Sequence, residues 1–206
     1  MAQAGSDHPV LVLASASPRR RELLTQLGVS FTVAPADIDE QVLEQEAPEA
    51  YVRRMAVSKA LAGCARAAAA SKARQPIVLG ADTTVVIDEQ ILGKPDDQAD
   101  ALRMLALLSG RTHHVMSSIA VTDGERTEAR TSITAVSFRD IASSESAAYW
   151  ASGEPRDKAG AYAVQGYGAV FVKELQGSYT GVVGLPLYET ANLLAIFGFR
   201  LGLEPG

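Results

Sequence analysis

Val-Leu-Val-Leu-Ala-Ser-Ala-Ser-Pro-Arg-Arg-Arg-Glu-Leu-Leu, residues 10–24, is the stretch that says most about this chain. Val10 to Ala14 is an apolar run of the length of a buried strand. Ser17 is a natural N-cap, Pro18 suits the first helical position, and Glu22, Leu23 and Leu24 continue a helix. Leu27 closes that helix, with Gly28 as its C′ residue. A strand that turns into a helix presents free backbone N–H groups and a partial positive charge at the helix start, a ready anion site. Three successive arginines are often no more than a solvated helix face. These, however, sit in the first turn, where cations oppose the helix dipole unless an anion comes. Arg19 and Arg20 supply planar forks that match phosphate oxygens, so phosphate binding is the favoured reading.

The rest of the composition is that of an ordinary globular chain. Of 206 residues, 47% are hydrophobic and 21% charged, enough to bury a sizeable core as one domain or one fold with two lobes. The net charge of −5 gives no broad footprint for nucleic acid or an anionic membrane. A single cysteine, Cys64, excludes an internal disulfide and a cysteine-rich metal site, and suits a reducing cytoplasm. No apolar run reaches the roughly 18 residues of a membrane helix, and the first residues lack the pattern of a signal peptide. The expected organisation is a flexible tail over 1–8 and a single domain over 9–203.

Strands and helices alternate, which predicts an α/β (mixed α+β) domain with a mixed sheet. A second short strand is expected at Phe31–Ala34, then an acidic loop with Glu40, Glu44 and Glu46. Pro48 opens a long helix to about Ala70. An apolar strand from Pro76 is expected to end near Ala81, placing Asp82 beyond it. A hairpin turns about Asp88-Glu89-Gln90, and Asp96 or Asp97 caps a helix to Leu108. Asp123-Gly124 between Val115–Thr122 and Thr131–Phe138 is a strong hairpin signal. Ser143 or Ser144 starts a helix to about Ser152. A glycine-rich stretch from Gly153 to Gly168 follows, then a strand Ala169–Leu175 and a last helix from Pro186 to Gly198.

Several charged residues fall where chemistry is plausible. Lys59 lies on the same helical stripe as Val52, Met55 and Ala56, so it either snorkels past the core edge or points into a polar cleft. Asp82 stands beside Gly80 and Ala81, whose small size lets a ligand approach; taken alone it reads equally as a turn residue. Glu40 by itself reads as a solvated charge. Lys94 is fixed in a turn between Gly93 and Pro95. Asp157-Lys158 precedes Ala159-Gly160-Ala161-Tyr162 and Gln165-Gly166, small residues of the kind that wrap backbone around a ligand. Together these are arginines, lysines and carboxylates in loops, a site for a polyanion and a hard cation. His113 and His114 are adjacent on a predicted strand and point to opposite faces, so they do not share a metal. No P-loop, nucleophile elbow or dinucleotide fingerprint is present.

At this point the residues resemble the Maf family of nucleoside triphosphate pyrophosphatases, from about Val10 to Ile196. The resemblance rests on Ser15-Ala-Ser-Pro-Arg-Arg-x-Glu-Leu-Leu, Gly80-Ala-Asp-Thr, Gly93-Lys-Pro, Leu108-Ser-Gly-x-Thr-His, Glu154-Pro-x-Asp-Lys-Ala-Gly-Ala-Tyr, Gln165-Gly and Val183-Gly-Leu-Pro. It implies an inosine triphosphate pyrophosphatase-like fold, a twisted mixed sheet flanked by helices with a cleft between two lobes, and often a homodimer. It also implies hydrolysis of a nucleoside triphosphate to monophosphate and pyrophosphate with Mg²⁺ or Mn²⁺. By position, Asp82 matches the family's proton acceptor, and Glu40 with Asp82 its metal carboxylates. Ser15, Arg19, Arg20, Lys59, Lys94 and Lys158 match its phosphate-handling residues, with Ser17 in the same motif.

One branch of the family is similar to a dTTP/UTP pyrophosphatase and another acts on 7-methyl-GTP. The second tends to carry Trp where this chain has Arg19 and Glu where it has Gln165. Arg19, Thr83 and Gln165 fit the first branch. A glutamine amide offers a donor and an acceptor, complementing O4 and N3–H of uracil or thymine. The expected partner is therefore a nucleoside triphosphate, with neither nucleic acid nor membrane. The alternative is a module linked to cell division that senses triphosphates without turnover.

Overall fold

The computed structural model describes residues 10–70 and 76–201; the expected tail at 1–8 and the end of the expected domain, 202 and 203, lie outside them. Strands β1 (Leu11–Leu13), β2 (Phe31–Val33), β3 (Ile77–Ile87), β4 (Gln90–Leu92), β5 (Thr112–Thr122), β6 (Thr127–Phe138) and β7 (Val172–Gln176) form one sheet. Helices α1 (Pro18–Thr25), α2 (Pro48–Ala70), α3 (Gln98–Leu108), α4 (Ser143–Ala151), α5 (Tyr179–Val183) and α6 (Leu187–Ile196) flank it. The strand order is β2-β1-β3-β5-β6-β7, with β4 also paired to β3. β1 runs parallel to β2 and β3, and every other pairing is antiparallel, so the sheet is mixed as expected.

The strand expected to end near Ala81 does not end there. β3 continues unbroken through Asp82, Thr83 and Thr84 to Ile87, and β5 pairs with it from Val78↔Thr122 to Val86↔His114. The polar triplet is tolerated in mid-strand because its partners are polar too: Asp82 faces Ser118 and Thr83 faces Ser117 across the ladder. That seam divides the core. Leu79 and Ala81 pack with Leu11, Leu13, Leu24 and Leu194 in one apolar cluster, while Val85 and Ile87 pack with Leu92, Leu105 and Phe138 in another. The two lobes are thus two cores strung on the same long strands.

On the other face of β3, α2 crosses at Gly80. A Cβ at Gly80 would lie 2.3 Å from Ala56 O and 2.5 Å from Ala60 N, so only glycine lets this helix come so close. Gly80 and Asp82 share a face of the strand. The contact at Ala56–Ala60 therefore delivers Lys59 beside Asp82. Val52, Met55 and Ala56 are fully buried, as the stripe predicted.

Two further elements depart from expectation. Residues 166–171 form a 3-10 turn and the strand starts only at Val172. Helix α5 is short, capped by the Ser178 hydroxyl, which accepts the Gly181 N–H at 3.0 Å. The last helix begins as expected at Pro186, which is its N-cap, and Gly198 follows its end at φ 83°.

Candidate active site

A cleft of about 600 Å³ opens along the seam between the two cores. Each residue expected to handle phosphate, base or metal lines it: Ser15, Ser17, Arg19 and Arg20 from the β1–α1 turn and α1, Glu40 from the acidic loop, Lys59 from α2, Asp82 and Thr83 from β3, and Lys94, Lys158 and Gln165 from loops. Cations outnumber carboxylates here, although the chain carries a net charge of −5. An excess of positive charge in a concave, acidic protein focuses the field for an anion.

At the floor, Lys59 Nζ stands 2.7 Å from Asp82 Oδ1 and 2.6 Å from Glu40 Oε1. Lys59 and Asp82 are each only 8% exposed. The cation is thus the one that points into a cleft rather than one that snorkels out. Partial burial pushes the Glu40 carboxyl up, but Lys59, with Lys94 and Arg20 more distant, holds it below its ordinary value. Tyr51, two helical turns before Lys59, donates from its hydroxyl to Glu40 O at 3.1 Å and ties the acidic loop to α2. Burial, and then the charges of Asp82 and Glu40, push the Tyr51 phenol up to about 12. Its spacing of eight from Lys59 is the signal that would have found it.

The two arginines, alike in sequence, are not alike in place. Arg20 is a built-in wall: Nε donates to Gly184 O at 2.8 Å, Nη1 to Ser15 Oγ at 3.2 Å and Nη2 to Thr83 Oγ1 at 3.2 Å. Burial lowers its proton affinity, with Asp82 opposing and Arg19 adding to the shift, yet a guanidinium stays charged. Arg19 makes one long contact, 3.4 Å, to the exposed Asp157, which also pairs with Lys158. Asp157 is therefore a carboxylate set between two cations that an incoming anion could take over. The Ser17 hydroxyl caps nothing in α1; instead the Ser17 N–H donates to Ser15 Oγ at 3.3 Å.

Behind the visible wall lies Ser117, which sequence reading missed. Its hydroxyl donates to Gly181 O at 2.6 Å, so it must accept from Thr83 Oγ1 at 2.8 Å. Thr83 then offers lone pairs to Arg20. The Gly181 carbonyl sets this order of donors, and Gly184 O, 3.4 Å from Thr83 Oγ1, is a second and longer acceptor for the same threonine proton. A serine in the middle of a strand carries no local signal for this.

Two carboxylates, Glu40 and Asp82, aim oxygens at one cationic point, Lys59 Nζ. That is a hard-donor pair of the kind Mg²⁺ uses when substrate phosphates and water complete its shell. Among the described residues no group of three or more His, Cys, Asp and Glu converges as a metal cage, so any ion would rely on those outside oxygens. His113 is buried and His114 exposed, on opposite faces as expected. Among the described residues no helix is long and apolar enough to cross a membrane.

A family model described as "Maf-like protein" matches residues 10–197. A dTTP/UTP pyrophosphatase of Pseudoalteromonas atlantica is 53% identical over 186 residues, covering 90% of this chain and 96% of that one. A dTTP/UTP pyrophosphatase of Aromatoleum aromaticum is 50% identical over 200 residues, covering 93% and 97%. A solved HAM1 protein from Coxiella burnetii aligns at 19% identity with a TM-score of 0.41, covering 64% of this chain and 73% of that one.

Proposed function

The chain belongs to the Maf family and is a nucleoside triphosphate pyrophosphatase, and from that premise we propose that it hydrolyses dTTP and UTP to the monophosphate and pyrophosphate in the cleft between its two cores. The observation that carries this reading is the Glu40–Lys59–Asp82 bridge at the floor of a cleft whose walls bear Arg19, Arg20, Lys94 and Lys158. A single domain over residues 9–203 supplies every part, and the cytoplasm, where nucleoside triphosphates are made and spent, is its place of work.

The triphosphate enters with its negative charge toward the cationic wall. Arg20, held by Gly184, Ser15 and Thr83, is preorganised and loses little freedom on contact. Arg19 and Lys158 exchange Asp157 for phosphate oxygens. Glu40 and Asp82 are the residues that would hold Mg²⁺ or Mn²⁺, which when bound offsets charge building on the phosphates. Lys59 fixes the Asp82 carboxylate so that it orients a water and takes a proton from it. The water oxygen bonds to the α-phosphorus as the bond to the bridging oxygen breaks, and that electron pair leaves with pyrophosphate. Gln165 reads the base, its amide pairing donor to O4 and acceptor to N3–H.

The test is a panel of dTTP, UTP, CTP, GTP and ATP, assayed as phosphate released after inorganic pyrophosphatase is added. The expected result is turnover led by dTTP and UTP that requires a divalent cation. Phosphate release that does not depend on the added pyrophosphatase would mean cleavage at another bond, and a flat panel would remove the base from the reading.

A further inference from the structure

Gln165 stands on a loop whose two ends are tied to one carboxylate–phenol pair, and neither member of that pair lines the cleft. Tyr149, near the end of α4 and 5% exposed, accepts the Ala163 N–H at 3.0 Å, on the approach to Gln165. The same hydroxyl donates to Glu154 Oε1 at 2.7 Å. Glu154 in turn accepts the Tyr167 N–H at 2.8 Å on Oε2 and the Gly168 N–H at 2.9 Å on Oε1, on the departure from Gln165. Only Val164, Gln165 and Gly166 span the gap between these anchors. Gly166 has φ 75°, and a Cβ on it would lie 2.3 Å from Glu154 Oε2, so the carboxylate fills the space that the glycine leaves.

The electrostatics agree with the geometry. Burial pushes the Glu154 carboxyl up, but the Gly168 N–H, the Tyr149 hydroxyl and the Tyr167 N–H together hold it below its ordinary value. Burial, and then the bond to Glu154, push the Tyr149 phenol up, so it remains a donor at neutral pH. The ring packs edge-on against Phe171, with centroids 5.1 Å apart, which fixes the hydroxyl in direction.

We propose that Glu154 and Tyr149 are positioning residues for base selection, holding the loop so that the Gln165 amide meets the pyrimidine edge. This rests on the reading of Gln165 as the residue that faces the base. Selection by a hydrogen-bonding amide needs the amide placed to a fraction of an ångström, and a loop of three free residues cannot supply that alone. Glu154→Gln keeps the shape but turns an amide NH₂ toward backbone N–H groups, so one anchor on the departing side is lost. Tyr149→Phe keeps the ring against Phe171 and releases Ala163.

The experiment compares wild type, Glu154→Gln, Tyr149→Phe, Gln165→Ala and the double variant Glu154→Gln/Gln165→Ala on the same nucleotide panel. Its readout is kcat/KM for dTTP over that for the poorest nucleotide, with kcat and KM separated and melting temperature measured alongside. Each positioning variant is expected to lower that ratio about tenfold, the worth of one misplaced hydrogen bond, through KM for dTTP and UTP. In the Gln165→Ala background, Glu154→Gln is expected to change the ratio no further. An equal loss on every nucleotide, an unchanged ratio, or an additional independent drop in that background would overturn the positioning role. If Gln165→Ala itself leaves the preference intact, the base-reading assignment falls and this proposal with it. A preference lost in Gln165→Ala but kept in both Glu154→Gln and Tyr149→Phe overturns the positioning role alone. Tyr149→Phe decides the matter should Glu154→Gln fail to fold.

Discussion

Lys59 on α2 and Asp82 on β3 meet at 2.7 Å because the helix backbone rests on Gly80, two residues before the aspartate. A mid-strand carboxylate would otherwise be costly to bury. Here the packing contact that closes the core also supplies the counter-charge, and the same pair forms the floor of the cleft. Structure and chemistry therefore share one device.

Asp82→Asn is expected to keep the fold and lose turnover. The amide is a poor proton acceptor and a poor ligand for a hard cation, and loss of a general base alone costs about 10²–10⁴-fold. Steady-state kinetics on dTTP with a melting curve on the same sample check this. Activity above a tenth of wild type would take Asp82 out of the catalytic role.

Lys59→Met removes the cation and leaves Glu40 and Asp82 facing a gap with like charges. Breaking a buried pair from one side costs about 3–5 kcal/mol, which denaturant unfolding would read. Mg²⁺ should then raise the melting temperature of Lys59→Met more than that of wild type, since an ion bound between the freed carboxylates stabilises the folded state. A melting temperature insensitive to Mg²⁺ in both proteins would argue against those carboxylates as the metal ligands.

How much of this was legible in the sequence depends on how local each signal is. Helices α1, α2 and the Asp97-capped α3 start where Pro18, Pro48 and Asp97 predict, but α1 ends at Thr25, before Leu27, and Ser17 precedes it without a side-chain cap bond. Asp82-Thr83-Thr84 reads as the end of a strand because its compensation comes from far away: Lys59 on α2, Ser117 and Ser118 on β5. The strand expected from Ala169 yields to a 3-10 turn because Glu154 captures the Tyr167 and Gly168 amides from outside the segment. Helix α5, five residues long, is too short to show a period. The candidate residues come to notice through their motifs; Ser117 and Tyr149, which bond to them or to their loop, stand in none, and Glu154 stands in one that gives it no role, since a hydrogen bond between elements leaves no trace in spacing.

Stability should fall as pH drops through a window set by His113. Burial, and secondarily the charge of His114, lowers its folded pKa to about 4. The unfolded value is about 6.5, so the unfolded chain binds the proton first and stability is lost as pH falls from about 6.5 toward 4. The ring has no room for the charge: Nε2 faces the Tyr162 hydroxyl at 2.8 Å and Nδ1 has no partner among the described residues. One group shifted this far is worth on the order of 3 kcal/mol over that window. The double variant His113→Phe/Tyr162→Phe, which keeps the aromatic packing against Phe138, should flatten the curve of melting temperature against pH. An unchanged curve would assign the loss to other groups.

Arg19→Ala and Arg20→Ala should differ in kind. Arg20→Ala removes three bonds at once, to Gly184 O, Ser15 Oγ and Thr83 Oγ1, so melting temperature falls together with substrate use. Arg19→Ala breaks only a long contact to an exposed carboxylate, so the fold should be nearly untouched. Its loss should appear in kcat/KM, about ten- to a hundredfold for a charge-assisted phosphate contact of roughly 1.5–3 kcal/mol. Equal melting temperatures for the two variants would contradict the separation of wall and contact.

Gln165→Glu is the sharpest probe of the base. The carboxylate places an acceptor against the O4 acceptor of thymine or uracil and removes the donor that paired with it. The missing bond and the repulsion should together cost on the order of 1–3 kcal/mol in discrimination, or about ten- to a hundredfold in the ratio of kcat/KM for dTTP to that for GTP. Turnover of triphosphates in general should survive, because the Glu40–Lys59–Asp82 floor and the arginine wall lie on other elements and keep their own bonds. A nucleotide whose edge is rich in donors should suffer least and could gain. A uniform loss across the panel would mean that residue 165 supports the glycine-rich loop rather than touching the base, and the pyrimidine preference would then have to be sought in Arg19 and Thr83.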